Sequence, residues 1–360
     1  MEHWQNIEGG GRLISMGKNQ CVRTYQYIIS LENLLEAWQE FLRGKRRRRD
    51  VQEFERDLMG NILSLHDDLM EKTYVHSSYH AFNISDPKPR NIHKASVRDR
   101  LLHHALYRKL YPHFEKTFIY DSCSCRLDKG MHKAINRFRD FAYTVSQNHT
   151  KTVWVLKGDI KKFFASIDQS ILSALINRSI MDKDVQWLME QIIGSFYVEK
   201  GKGLPLGNLT SQLLVNIYMN EVDQFIKHTV KARYYIRYAD DFVVLSSDKQ
   251  WLQDILPHIN DFLYNILRLR LHPDKVFIKT LASGVDFLGW VHFPYHRVVR
   301  TATKRRMLKT VKKKKGDEKV IQSYLGLLQH GNAQKLSLKI GRMTSAIKYP
   351  NSSRPWRVSE

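Results

Sequence analysis

The stretch RYADDFVVL, Arg237 to Leu245, sets two adjacent carboxylates, Asp240 and Asp241, inside an otherwise apolar and aromatic run. Side chains alternate across a strand, so neighbours on an extended segment face opposite ways and do not serve one site. A turn removes that limit. KARYYI reads as one β-rich run and FVVLS as another, which places the residues between them in a tight hairpin connection. Two carboxylates crowded at such a tip raise each other's pKa unless a cation lies between them. The pair therefore asks for a metal ion.

A third acid comes from another element. TVWVLKGDIKKFFASID opens β-branched and aromatic and then shifts toward helix, which puts Asp159 at the end of a strand. A polar helix to about Glu190 follows. GKGLPLGNLTSQLLVNIYMNEVDQFI then begins with the Gly and Pro punctuation of a loop and continues as an amphipathic helix through Leu214, Ile217, Tyr218, Val222, Phe225 and Ile226. Beyond the hairpin, a helix is predicted from about Asp248 to Leu267, with strands at VFIKTL and VDFLGWVHF. The order strand, helix, helix, hairpin, helix, strand over residues 153–281 predicts an α+β, ferredoxin-like layer, an antiparallel sheet with helices on one side. In such a sheet the end of the Asp159 strand lies beside the hairpin, and three carboxylates converge. That donor set suits Mg²⁺, a hard cation that keeps positions for water and substrate phosphates. Two such ions, roughly 3.5 to 4 Å apart, support the phosphoryl transfer of a polymerase.

Outside this layer the pattern is largely helical. Apolar residues recur at helical spacing from Leu31 to about Lys72, predicting two helices separated by the basic run GKRRRR, Lys45 to Arg49. That run is either a solvated interhelical loop or a nucleic-acid contact. YHAFNISDPKPRNI, with Pro87 and Pro89, predicts short strands and turns, and Val97 to Phe114 another helix. His103 and His104 are expected to be surface or nucleic-acid contacts. From Thr303 the chain is very basic and helical.

Across the 360 residues, 42% hydrophobic and 26% charged are globular values, whereas a formal net charge of +22 implies a polyanionic partner, nucleic acid above all. No apolar run near 18 residues and no membrane-surface helix is present, so no membrane partner is expected. The start, MEHWQNIEGG, lacks an apolar h-region, which predicts a cytoplasmic protein. Three cysteines, Cys21, Cys123 and Cys125, lack the partners of a zinc site and read as reduced thiols.

At this point the chain resembles the reverse transcriptases. YADD, Tyr238 to Asp241, is similar to their YxDD box and GDIKKFFASID to their first palm motif. DPKPRNI and VRDRLLHHAL look like fingers motifs, and HPDKVFI and VDFLGW like the motifs after the YxDD box. The likeness covers roughly residues 25–345. It implies a right-hand polymerase: a poorly ordered lead-in over 1–20, N-terminal helices and fingers over 21–152, a palm over 153–294 with part of the fingers around 180–204, and a small helical basic thumb over 295–360. The resemblance further implies that Asp159, Asp240 and Asp241, with the carbonyl of Ile160, bind two Mg²⁺ ions, with Mn²⁺ as a substitute. Phe164 would be the aromatic gate under the sugar, with adjacent Phe163 as the competing choice. Arg90 and Arg126 would hold the triphosphate of a dNTP through bidentate forks, or serve as general backbone contacts. Lys275 would protonate departing pyrophosphate, or be a capping or surface lysine.

One departure narrows the resemblance. Many reverse transcriptases carry QGxxxSP over the templating base pair, whereas this chain reads LGNLTSQ, with Leu206, Gly207 and Gln212 at the nucleotide. That variant, and SYLGLLQHGNAQKL, Ser323 to Leu336, resemble the diversity-generating retroelement type. The implied activity is RNA-directed DNA synthesis on a retroelement template RNA, error-prone at template adenines, because an apolar residue beside the nascent pair removes a hydrogen-bond constraint. The alternatives are a group II intron-like, retron-like or defence-associated reverse transcriptase, or a catalytically silent RNA-binding scaffold. Implied partners are template RNA, the cDNA or primer strand, dNTPs and a small basic oligomeric accessory protein, in a bacterial or phage-encoded setting. The drawn regions leave no room for a nuclease or protease domain. Lys304, Arg305, Arg306, Lys309 and Lys312 in the basic thumb would follow the phosphates of an RNA:DNA hybrid.

Overall fold

The computed structural model describes residues 24–348, apart from 86–88 and 315. The expected lead-in over 1–20, Cys21 and Pro87 lie outside the described residues. Helix α1 (Thr24–Ile29) is followed at once by α2 (Leu31–Leu42), which starts where the Ser30 hydroxyl accepts from Asn33 N. Leu34, Ala37, Trp38 and Phe41 form its buried face. Next come α3 (Arg49–Glu55) and α4 (Leu58–Met70). Where periodicity predicted two helices over this stretch there are three, because the Asp57 carboxylate caps α4 by accepting from Gly60 N. The basic run forms the bend between α2 and α3, with Arg46, Arg47 and Arg48 exposed.

The strands β1 (His80–Ile84) and β2 (Arg90–Lys94) pair as a hairpin, Ile84 opposite Arg90. They lead into α5 (Val97–Glu115), an axis buried on most of its circumference. His103, expected at the surface, is instead a core residue. Burial and the neighbouring His76 push its pKa down to about 3, so the ring is neutral at physiological pH. Helix α6 (Met131–Val145) follows.

The sheet layer begins at β3 (Trp154–Asp159), followed by the short α7 (Phe163–Ser166), then α8 (Gln169–Ser179), α9 (Lys183–Gly194) and α10 (Leu209–Gln224). The single polar helix predicted after the strand is thus α8 and α9, broken where the Asp182 carboxylate accepts from Asp184 N and Val185 N. The hairpin strands β4 (Tyr235–Tyr238) and β5 (Asp241–Ser246), helix α11 (Lys249–Asn265) and β6 (Phe277–Thr280) complete the layer. Every pairing is antiparallel and the order is β4-β5-β3-β6, as a ferredoxin-like layer requires.

Both faces of the sheet are covered, where helices on one side were expected. Leu156, Phe242 and Val244 join the main core with α10 and α11, while Val155, Val243 and Leu245 pack with Phe138, Phe141 and Ala142 of α6. That double burial explains why β3 and β5 read as continuous apolar runs and not as alternating ones. The strands β7 (Val285–Phe287), β8 (Trp290–His292) and β9 (Arg297–Val299) form a separate antiparallel meander, and Val285 and Phe287 add to the α6 side. The thumb helices α12 (Thr301–Lys313), α13 (Glu318–Leu328) and α14 (Gln334–Lys348) close a small core of Met307, Val311, Ile321, Leu328, Leu336 and Ile340. Among the described residues no helix is long and apolar enough to cross a membrane.

One ion pair is fully buried. Arg237 of β4 and Asp223 of α10 are both without exposure, joined by Nε to Oδ1 and Nη2 to Oδ2 bonds of 2.7 Å each. Tyr235 donates to Asp223 Oδ1 at 2.7 Å, and Arg237 also reaches Ser122 Oγ at 2.9 Å. Arg237→Met strands the Asp223 carboxylate and is expected to cost about 3–5 kcal/mol in urea unfolding. Adding Asp223→Leu should recover part of that loss; an equal or larger loss in the double variant would contradict the account.

Candidate active site

The β3–β5 register sets Asp159 directly opposite Asp241. Tyr238 pairs with Asp241 across the hairpin, so the turn is the two residues Ala239 and Asp240. Ala239 holds a left-handed φ of 55°, a costly conformation for a residue with a Cβ and one that accumulates at functional sites. Asp240 therefore leaves the strand alternation while Asp241 stays in it, and both come to the end of β3. Asp159 is buried, at 7% exposed, and Asp240 and Asp241 are half-buried.

Electrostatics follow from this crowding. Burial, then Asp241 and Asp159, push the Asp240 pKa up to about 6, with Lys275 opposing. Burial and Asp159 also raise Asp241, against the pull of Lys157. The backbone brings the lysines in. His272 N bonds Asp159 O at 2.7 Å and Lys161 N bonds Arg270 O at 2.9 Å, laying 270–272 beside 159–161. The 3₁₀ turn Pro273–Lys275 then places Lys275 Nζ 2.7 Å from Asp159 Oδ1. Lys157 Nζ donates to Asp286 O at 3.0 Å and stands 3.4 Å from Asp241 Oδ1, an oxygen that is buried and has no hydrogen bond.

Among the described residues no group of three His, Cys, Asp or Glu side chains is arranged as a finished metal cage. The donor chemistry nonetheless fits a hard dication: carboxylates at one strand end, a buried carboxylate oxygen lacking a partner, and a raised pKa that a cation would reverse. An open set of this kind leaves positions for substrate oxygens.

The other candidate residues divide. Ile160 is buried and bridges to Leu271, directly after Asp159. Phe163 enters the main core at 4% exposure while Phe164 is only partly buried beside it, so of the two adjacent rings Phe164 is the one left at the surface of the core. Leu206 is half-buried; its carbonyl accepts from His93 N at 3.0 Å, and Asn208 Nδ2 donates to His93 O at 2.9 Å. Gly207, at φ +112°, lets this loop lie against β2, since a Cβ there would come 2.9 Å from Ile92 Cγ2. Gln212 is half-buried near the start of α10, and Arg90 is exposed on β2. Arg126 departs from expectation. Its side chain is 4% exposed and committed internally, with Nε 2.9 Å from Glu115 Oε2 and Nη1 donating to the carbonyls of Ile119 and Ser122 at 2.6 and 2.8 Å. It braces a loop in this conformation and presents no fork to a triphosphate. On α12, Met307 and Val311 point inward, and Lys304, Arg305, Lys309 and Lys312 are exposed, with Arg306 half-buried. The sequence reading missed Lys157 and Asn208; a lysine inside a strand two residues before a candidate acid is the signal that would have found Lys157.

The raised Asp240 pKa carries a stability consequence with a fixed sign. A group whose folded pKa of about 6 exceeds its ordinary 3.8 favours the fold below about pH 4 and loses that contribution as pH rises through 6. Asp240→Asn is therefore expected to stabilise the metal-free protein by about 1–3 kcal/mol near pH 7.5 and by nearly nothing near pH 4. Urea unfolding in chelator at both pH values checks this; equal effects at both would remove the electrostatic explanation.

The family described as "Reverse transcriptase (RNA-dependent DNA polymerase)" matches residues 84–292, more than half of the chain. The chain is 26% identical over 265 residues to Protein YkfC of Escherichia coli (strain K12), covering 63% of this chain and 68% of that protein. It is 24% identical over 297 residues to the group II intron-encoded protein LtrA of Lactococcus lactis subsp. cremoris, covering 63% of this chain and 47% of LtrA. It thus spans about half the length of that relative. A solved structure of telomerase from Candida albicans, in complex with a TWJ fragment of telomeric RNA, aligns at a TM-score of 0.47 and 11% identity, over 74% of this chain and 54% of that one. The family match runs from the end of β1 to the end of β8 and takes in all three carboxylates, the LGNLTSQ loop and Lys275, so this chain belongs to the reverse transcriptase family.

Proposed function

We propose that this chain copies an RNA template into cDNA by two-metal phosphoryl transfer, with errors concentrated opposite template adenine. The observation that carries the catalytic part is the register that faces Asp159 with Asp241 while the turn brings in Asp240. These side chains, with the Ile160 carbonyl, would hold two Mg²⁺ ions, or Mn²⁺ in their place. When bound, the ions supply the charge that activates an attacking 3′-oxygen and stabilises the leaving oxygen.

The chain's own groups do the rest. Lys275, 2.7 Å from Asp159 and with its side chain open to solvent, would give a proton from its ammonium to departing pyrophosphate. Phe164, backed by the core-fixed Phe163, packs under the sugar and disfavours a 2′-hydroxyl. Arg90 meets the triphosphate of the dNTP. The exposed cations of α12 track the hybrid backbone, whose shape and phosphates are read without sequence.

The error-prone part rests on Leu206. Its loop is tied to β2 through the Leu206 carbonyl and the Asn208 amide, so the identity of the Leu206 side chain is free to vary without loss of the loop's position. An aliphatic group there offers no hydrogen bond with which to reject a mispair, and a site without such a bond discriminates less. A template RNA and a small basic oligomeric accessory protein complete the proposed assembly. A group II intron-like activity is the second reading, favoured by the similarity to LtrA.

Primer extension on an adenine-containing RNA template, with Mg²⁺ and dNTPs, with and without a small accessory protein, tests both parts. Synthesis with errors clustered opposite adenine is expected; accurate cDNA would favour the second reading, and no cDNA in either condition would leave an RNA-binding scaffold. Asp240→Asn should lower synthesis by at least about a hundredfold, since it removes charge stabilisation of the reaction. Leu206→Gln should reduce adenine-directed errors by roughly tenfold with synthesis retained, read by cDNA sequencing.

A further inference from the structure

The outer side of α6 carries features that the polymerase cleft does not use. At its start, Tyr120 is 60% exposed and ringed by cations, with Lys129 Nζ 3.5 Å from the ring centre and Lys133 and Arg137 at 5.3 and 5.4 Å. Arg137 is neutralised by Asp121 at 2.7 Å, whereas the hydrogen bonds of Lys129 and Lys133 go to the backbone carbonyls of Tyr120 and Asp128. Burial, then Lys133 and Arg126, lower the Lys129 pKa.

At the other end of α6 a cavity of about 910 Å³ opens between the helix, the β8–β9 turn and the α13–α14 loop. Its rim is aromatic. Tyr295 is 79% exposed, Tyr143 48%, and His149 lies between them with ring centres at 4.4 and 5.3 Å. The Nδ1 of His149 is buried and has no partner, and Asn136, Gln329 and Asn332 add amide groups to the lining. Asn136 and Asp140 line both this cavity and the smaller one beside Tyr120, so the two ends form one continuous surface. None of the candidate catalytic or nucleotide residues lines either cavity.

We propose that this surface binds unpaired RNA outside the polymerase cleft, phosphates at Lys129 and Lys133 and bases against Tyr120 and the Tyr143–His149–Tyr295 rim. Single strands are held by a cationic track with aromatic side chains on which bases stack, and unstacked bases are read by hydrogen bonds on their edges. The fifteen residues of α6 span about 22 Å, room for several nucleotides. A double helix presents no free base faces to such rings, so the site discriminates single strand from hybrid. The surface does not depend on the catalytic reading, since it needs neither metal nor dNTP.

The test uses the whole chain with two labelled probes, an oligouridine RNA and an RNA:DNA hybrid, in fluorescence anisotropy across a salt series without dNTPs. Tyr120→Ala and Tyr295→Ala are each expected to weaken oligouridine binding about fivefold or more, with hybrid binding within about twofold. Lys129→Gln with Lys133→Gln should lower the salt slope for oligouridine by about 1.4. Tyr120→Phe and Tyr295→Phe keep the rings and should bind as the parent does. Unchanged oligouridine affinity in the Ala variants overturns the proposal, including the case in which this face serves a protein partner. Equal losses on both probes, or losses as large in the Phe variants, overturn it as well. Short-template primer extension by the same variants should remain at the parent level, so failure of this site and failure of the polymerase reading are separable.

Discussion

The close approach of β5 to β3 is the constraint from which the site is built. Gly158 has no side chain, and the Phe242 ring occupies its place: a Cβ there would lie 2.2 Å from Phe242 Cζ. With the ring seated, Gly158 pairs with Phe242 and the next pair is Asp159 with Asp241. A slip of one residue would turn Asp241 to the opposite face and bring Phe242 out of the core, so the buried ring fixes which acid faces which. The burial of one apolar side chain thereby sets the spacing of the charged ones.

Bringing like charges together has a cost that the chain offsets from two directions. Lys275 arrives from the segment after α11, through backbone bonds that tie 270–272 to 159–161. Lys157 arrives from β3 itself, two residues before Asp159 and on the same face, held by the Asp286 carbonyl of β7. Lys157 is 6% exposed and Lys275 is far more open, its side chain 42% exposed. The first is therefore an enclosed counter-charge and the second a solvent-facing one.

What the sequence disclosed and what it hid separate along physical lines. The helix α5, the strand end at Asp159, the hairpin and α11 follow from local periodicity and turn chemistry, and of these the strand and the hairpin hold the acids. The breaks at Asp57 and Asp182 were also local, since each is an acid positioned to cap a helix, but apolar spacing ran across them and masked the signal. The internal commitment of Arg126 depends on Glu115, and the burial of His103 on α5 being enclosed by other helices. The cover of α6 over the second face of the sheet is likewise a tertiary fact. Periodicity within one segment reports that a face is buried and not what buries it.

The quoted stretch begins with the residue that ties these levels together. Arg237 is a charge in the core, and for stability alone an apolar pair in place of both Arg237 and Asp223 would serve as well. Its bonds show a different use. Beyond Asp223 it reaches Ser122 Oγ and, through Nη1, the carbonyl of Ala239 at 3.1 Å, the residue held in left-handed conformation at the turn that carries Asp240. Cys123 N bonds Arg237 O at 2.9 Å and Arg237 N bonds Asp121 O at 3.0 Å, so the 121–123 segment is stitched to the same strand. A leucine in that place would fill the volume and leave the turn carbonyl without its buried donor. The strain at Ala239 persists because a rigid, fully bonded guanidinium defines where that carbonyl must be, and Asp240, the next residue, is aimed as a result.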